Sequence, residues 1–365
     1  MNMHQKIVFP IYLMIILMSL NICHIFLRAK TRIATTCQPN KPDISRQHAY
    51  FQTTYSPKVD HVASDSETRN ISNPIDVKET TERSKSDSRV RPFSCNNCFK
   101  HDFIYLIQNE DICSEENRDE VDLIMLILTS HNNAYMRNVV RSTWASVSRN
   151  NTGNVRYVFL LGEVPQKHLM EAVHKEAIHY KDMLMEDFRD SYSNLTYKTI
   201  MGLKWASSFC DNAKFVLKTD DDMWVNVPQI LRLVNRNKLI LQSRVLGKCG
   251  HGQVMRDRNS KGYITFNEYP SSDYPQYCSG SGYVISIAVA KQIYEISRHV
   301  PFLKFEDVYI GMCVKALGKV GFKYNAGFFY TGDFRNNPCI LKSEDVLTCH
   351  HVPLLMIQKV MKEKC

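Results

Sequence analysis

No block of lysine and arginine interleaved with aromatic residues occurs along this chain, although its formal net charge is +9. The basic residues are scattered, many of them in the polar segment after the first apolar stretch. That excludes a nucleic-acid surface and leaves a generally basic protein attracted to anionic ligands. No internal repeat is visible, and 365 residues suffice for one large domain or two ordinary ones with room for appendages. No second Cys-x-x-Cys and no suitably spaced Cys/His pair follows Cys95-x-x-Cys98, which argues against a zinc site and for disulfides. Gly280-Ser281-Gly282-Tyr283 lacks the spacing of a dinucleotide fingerprint, so its glycines read as places where backbone approaches a substrate. With 44% apolar and 23% charged residues, the chain is neither disordered nor collagen-like.

What is present begins with cysteine. Of the 12 cysteines only Cys23 lies in the leading apolar segment. The others are Cys37, Cys95, Cys98, Cys113, Cys210, Cys249, Cys278, Cys313, Cys339, Cys349 and Cys365, an odd set that implies a free or intermolecular thiol. Their density suits an oxidising compartment. Ile7 to Leu27 is uncharged except for His24 and about as long as a bilayer-spanning helix. No small-x-small cleavage site follows it, which favours a signal anchor over a cleaved signal peptide. Flanking charge does not settle orientation, because Arg28, Lys30 and Arg32 follow the segment and Lys6 precedes it. The sequons at Asn70, Asn150 and Asn194, taken with the cysteines, place the body of the chain in the secretory lumen. From about Lys30 to Pro92 the chain is polar, with no helical or strand periodicity, and reads as a flexible stem.

From about Glu120 short apolar runs alternate with amphipathic stretches. Val121 to Leu128, Arg156 to Gly162 and Ala213 to Lys218 read as buried strands, and Gln166 to His179 and Tyr197 to Phe209 as helices. This alternation predicts an α/β domain with a largely parallel sheet, whose ligands bind beyond the carboxyl ends of the strands. Directly after the third strand comes Asp220-Asp221-Asp222. Three adjacent carboxylates repel one another unless a cation neutralises them. Asp220 and Asp222, one residue apart on an extended turn, face the same side and can converge on Mn²⁺ or Mg²⁺ with positions left for diphosphate oxygens. The competing reading is an exposed acidic turn, or a cap for the helix beginning near Val227-Pro228. Arg137 and Arg141 lie one helical turn apart, with the fork geometry that pairs with phosphate or carboxylate. They suit donor binding or a salt bridge to the Asp187/Asp190 stretch. Asp307, between Phe305 and Val308 and beside Glu306, has a setting that raises a carboxylate's pKa, and it also suits a helix N-terminus.

These elements occur in an order that resembles the β-1,3-galactosyltransferase and β-1,3-N-acetylglucosaminyltransferase family of Golgi enzymes, from about Leu123 to the C-terminus. The similar elements are Arg137 to Trp144, Phe159 to Gly162, Glu186 to Lys198, the acidic run, Tyr274 to Tyr283 and Phe305 to Gly311. The resemblance implies a GT-A type nucleotide-sugar-binding domain, inverting chemistry and a type II anchor in the Golgi membrane. Residues 1–6 are then a cytosolic tail, 7–27 the anchor, 28–118 the stem and 119–365 the lumenal catalytic domain. Asp220 and Asp222 would hold Mn²⁺ (or Mg²⁺) against the diphosphate of a UDP-sugar, with Asp221 beside them. His350 would be a further metal ligand, with His351 its rival, and Arg137 and Arg141 would meet the donor. Asp307 would take the proton from the acceptor hydroxyl. The ending Lys362-Glu363-Lys364-Cys365 resembles the galactosyltransferase branch, so UDP-galactose is the expected donor and a glycan on glycoprotein or glycolipid the acceptor. UDP-N-acetylglucosamine is the alternative, and a catalytically silent chaperone or lectin-like relative a further one. Two departures stand out: Lys261-Gly262-Tyr263 lacks the Trp of the family's Lys-Trp-Tyr element, and Ala145 stands where Gly often follows Thr-Trp.

Overall fold

The computed structural model describes residues 92, 94–114, 120–335 and 337–365. The expected anchor at 7–27 and most of the expected stem lie outside the described residues, among which no helix is long and apolar enough to cross a membrane.

An eight-stranded sheet organises the fold, in the order β1-β4-β3-β2-β5-β8-β7-β9. Its strands are β1 (Tyr105–Ile107), β2 (Leu123–Leu128), β3 (Val155–Glu163), β4 (Met183–Arg189), β5 (Phe215–Asp220), β7 (Arg244–Gly250), β8 (Tyr277–Ser286) and β9 (Gly321–Tyr324). A separate two-stranded ribbon pairs β6 (Met223–Val225) with β10 (Thr348–His350). Strands β4, β3, β2 and β5 run parallel, while β8 is antiparallel to β5 and β7. The α/β class and the mostly parallel centre are as the alternation of elements predicts. The sequence Leu-Ile-Met-Leu-Ile-Leu of β2 is buried at every position, as expected of a strand covered on both faces.

Strand alternation divides that burial between two cores. Ile124, Leu126 and Leu128 join Val158, Leu160 and Val216 on one face, beneath α3 (Leu195–Phe209), α6 (Ile287–Ser297) and α7 (Glu306–Leu317). Leu123, Met125 and Ile127 join Phe159, Leu161 and Leu217 on the other, beneath α1 (Ala134–Ser142), α2 (Lys167–Tyr180), α4 (Val227–Arg236) and α8 (Leu354–Lys362). A short helix, α5 (Lys238–Leu241), leads into β7. Each such aliphatic side chain contributes about 1.5–3 kcal/mol when removed from water. Helix α3 lies close on the sheet because Gly202 faces it: a Cβ there would come within 2.6 Å of Leu160 Cδ1 and 3.1 Å of Leu126 Cδ1.

Folded structure begins before residue 119. Tyr105 of β1 pairs antiparallel with Glu186 of β4, and Cys113 is bridged to Cys210 just after α3. The sheet therefore takes in residues that the sequence reading assigned to the stem. A three-residue edge strand carries too little periodicity to be seen in a polar segment. Cys95 is bridged to Cys98, in line with disulfides over zinc, and two further disulfides join Cys249 to Cys278 and Cys339 to Cys365. Cys313 and Cys349 are free and buried.

Candidate active site

Asp220 ends β5 opposite Leu128, which ends β2, so the acidic run leaves the sheet at the carboxyl edge of its parallel centre. Its three carboxylates then diverge. Asp221 turns inward and accepts hydrogen bonds from Thr129 Oγ1 at 2.6 Å and Asn133 Nδ2 at 3.0 Å. Burial pushes its carboxyl up to about 6 against those two bonds. This is a structural anchor between the ends of β2 and β5. Asp222 is exposed, and its Oδ2 lies 2.9 Å from His350 Nε2. Burial works to raise the Asp222 pKa, but the His350 contact outweighs it and holds the carboxyl below the usual range. The same contact, against the effect of burial, raises the pKa of His350.

The ribbon explains how a histidine 128 positions away reaches the run. β6 follows the acidic run directly, and its antiparallel pairing with β10 sets Met223 opposite His350. His351, the rival candidate, takes a left-handed φ of 58° and packs its ring, tilted by 32°, against that of His350 with centroids 3.8 Å apart. Of the two, His350 is the one in contact with the run.

Asp307 lies in the first turn of α7, with Phe305 as the N-cap residue. It is half-buried. Its Oδ2 accepts from the Gly280 amide at 3.2 Å and its Oδ1 from the Val308 amide at 2.8 Å. Burial raises its pKa above the usual carboxylate range, opposed by those amides and by the charge of Lys218. The helix N-terminus that the sequence suggested for Asp307 is present, and its carboxylate sits inside that first turn. Tyr192, exposed on the turn before α3, completes the surroundings. Burial first, then Asp307, Asp220 and Glu306, raise the pKa of its phenol.

Between these halves lies a group that sequence reasoning passed over. Lys218 Nζ is buried and donates to Asp220 Oδ1 at 2.9 Å, Gly280 O at 2.6 Å and Glu306 Oε1 at 2.7 Å. Burial acts to lower the ammonium's pKa, but Asp220 and Glu306 hold it above its ordinary value. Burial raises Glu306, to about 7, against the pull of Lys218. The sequence did carry a signal: a lysine directly after the apolar run Phe215-Val216-Leu217, in the same strand, is either exposed or paired, and here it is paired.

Arg137 and Arg141 require a correction. Arg137 is fully buried, with Nε and Nη2 on the two oxygens of Glu176 at 2.9 and 2.6 Å and Nη1 on Ser130 O. Arg141 pairs with both oxygens of Asp182 at 2.7 and 2.9 Å and also with Glu176. Their forks are filled by carboxylates of α2 and the start of β4, so they brace α1 against those elements instead of facing a donor. Neither partner lies in the Asp187/Asp190 stretch considered above, because helical spacing shows a shared face but not what lies across it. Asp190 pairs instead with Lys198 at 2.8 Å and accepts from the Gly162 amide, while Lys198 also donates to Thr129 O at 2.6 Å. The Glu186-to-Lys198 motif thereby ties together the carboxyl ends of β2 and β3. Within it, Asn194 Nδ2 donates to Arg189 O at 2.7 Å, which engages the sequon's own amide.

A divalent cation at this edge needs carboxylate and imidazole atoms that converge. Asp222 and His350 already converge, and Asp220 is 38% exposed at its side chain with one oxygen on Lys218. The three are not drawn into one closed cluster. Among the described residues the grouping of three metal-type ligand atoms within 4.8 Å is Cys339, Glu363 and Cys365, and its two sulfurs form a disulfide. Two carboxylates and an imidazole on an open edge nonetheless fit a cation that takes its remaining ligands from a diphosphate.

With this geometry in place, comparison with known proteins is informative. The galactosyltransferase family model matches residues 135–321, a span running from the Arg137 helix to β9. β-1,3-Galactosyltransferase 1 of Mus musculus is 36% identical over 241 residues, 66% of this chain and 71% of that protein. The chain belongs to the galactosyltransferase family. It is a glycosyltransferase enzyme. β-1,3-Galactosyltransferase 5 of Homo sapiens is 33% identical over 232 residues, 63% of this chain and 74% of that protein. Among solved structures, the galactosyltransferase LgtC with donor and acceptor sugar analogs overlaps at a TM-score of 0.34 and 9% identity, over 66% of this chain and 97% of that one. Membership in the galactosyltransferase family rests on the sequence matches.

Proposed function

We propose that this galactosyltransferase-family enzyme moves galactose from UDP-galactose to a hydroxyl of a glycan acceptor in β-1,3 linkage, with inversion, in glycoprotein or glycolipid glycosylation. The observation that carries the reading is the placement of the Asp222–His350 pair and Asp307 around Asp220 at one edge of the sheet. Similarity to proteins named β-1,3-galactosyltransferases supports galactose and the linkage.

Asp220, Asp222 and His350 would hold Mn²⁺ or Mg²⁺, which when bound neutralises the donor diphosphate and favours departure of UDP. Asp307 accepts the proton of the acceptor hydroxyl as that oxygen attacks the anomeric carbon. The bond from that carbon to UDP breaks on the opposite side, and its electron pair leaves with UDP. A raised pKa suits Asp307 to this task, since a carboxylate of ordinary acidity is a weaker base. Gly280 and Val308 hold the carboxylate in place through their amides.

Four disulfides in the described residues support an oxidising, lumenal setting. With the apolar stretch 7–27, they are the basis for placing the enzyme in the Golgi membrane as a type II protein. Donor comparison tests the proposal. The full chain in detergent should transfer from UDP-galactose at least about tenfold faster than from UDP-N-acetylglucosamine, a selectivity of the size a few pocket contacts supply. The reverse preference would reassign the donor.

A further inference from the structure

Building on the reading above, we propose that Lys218 is a positioning residue that locks the metal-side carboxylate Asp220 and the proton-accepting Asp307 into one frame. Its ammonium has three protons, and each has a buried or half-buried acceptor on a different element: Asp220 on β5, Gly280 on β8 and Glu306 on α7. Gly280 is held from both sides, its carbonyl by Lys218 and its amide by Asp307 Oδ2 at 3.2 Å. Glu306 precedes Asp307 and is fixed at its other oxygen by Thr199 Oγ1 of α3 at 3.3 Å. Two independent routes, Lys218–Gly280–Asp307 and Lys218–Glu306–Asp307, thus join the donor half of the site to the acceptor half.

Sequence and packing agree with this role. Lys218 and Asp220 are two apart on a strand and share a face, so their contact follows from the pleat. Gly280 leaves room that a side chain would fill: a Cβ there would collide with Glu306 Oε1 and lie 3.3 Å from Lys218 Nζ. A lysine that merely neutralised charge would need one partner. Three partners on three elements fix a position. Transfer depends on the distance between the anomeric carbon and the acceptor oxygen, and a misplacement of about 1 Å costs about 10²-fold in rate.

The test uses the purified full chain in detergent, with Mn²⁺ affinity in the presence of UDP measured by EPR of free Mn²⁺, alongside kcat, KM for UDP-galactose and Tm. Lys218→Met strands a buried carboxylate and lowers Tm. Lys218→Met/Glu306→Gln removes both charges, so Tm returns toward the parent value while the frame stays broken. We expect this double variant to bind Mn²⁺ with UDP about tenfold more weakly and to lose about 10²-fold in kcat. Lys218→Arg keeps the buried charge, and with it the fold, but its planar fork does not reproduce three divergent bonds. It should show the same two losses, to a smaller degree. Asp307→Asn, by contrast, should lose kcat and keep the parent's Mn²⁺ affinity. Parent-like affinity and kcat in the folded double variant overturn the inference, as does a parent-like Lys218→Arg where the double does not fold. Failure of the donor assignment is a different outcome, since the parent chain itself would then be inactive with UDP-galactose.

Discussion

Asp307 can accept a proton only while ionised, and its half-buried place between β8 and α7 sets the pH at which that holds. Burial raises its pKa, so the protonated, inactive form persists to higher pH than for an ordinary aspartate near about 4. Activity is therefore present above the raised value and lost as pH falls through it. A profile of kcat/KM against pH should show an acidic limb with its midpoint above about 4, and a limb at or below the ordinary value would remove Asp307 from the role. Asp222 makes a different prediction. Its side chain is 51% exposed, so Asp222→Ala should leave Tm nearly unchanged while weakening Mn²⁺ binding with UDP at least about tenfold, the loss expected if the carboxylate is the proposed ligand. Calorimetry and EPR separate the two effects. The acidic run, His350 and Asp307 were all legible as candidates, because charge adjacency and motif order are properties of the sequence. The partners of Arg137 and Arg141 were not, since what a guanidinium meets depends on the element packed across from it. Lys218 and Glu306 were visible as residues but not as a pair, for 88 positions separate them.

At the scale of elements, the ribbon β6–β10 decides whether the site exists at all, because its register alone brings His350 to Asp222. The long buried strands β2, β3 and β5 and helices α2 and α3 were readable from apolar runs and helical period. β1 and β10 were not: three residues offer no period, and each is held by pairing with a distant strand. The Cys113–Cys210 bridge fastens the segment after β1 to the end of α3 across 97 positions. Closing so long a loop restricts the unfolded chain strongly, and Cys113→Ala/Cys210→Ala should lose about 2–5 kcal/mol of stability. Denaturant unfolding of the two-alanine variant would measure this, and a midpoint equal to the parent's would show that the bridge adds nothing.

At the scale of the whole molecule, one sheet serves two purposes. Its faces bury the two cores, and its carboxyl edge gathers Asp220, Asp221 and the end of β2 into a site to which the ribbon brings His350 and α7 brings Glu306 and Asp307. The α/β class was legible because strands and helices alternate. The antiparallel half of the sheet was not, since β8 begins in a glycine- and serine-rich stretch that carries little strand signal. In the proposed reaction a single base, Asp307, and a donor anchored on the opposite side of the reacting carbon invert its configuration. Proton NMR of the product formed by the full chain from α-linked UDP-galactose and a glycan acceptor tests this most directly. The expected product is a β-linked galactose, with formation slowed by about 10²–10⁴-fold in Asp307→Asn. An α-linked product, or an Asp307→Asn rate equal to the parent's, would contradict it.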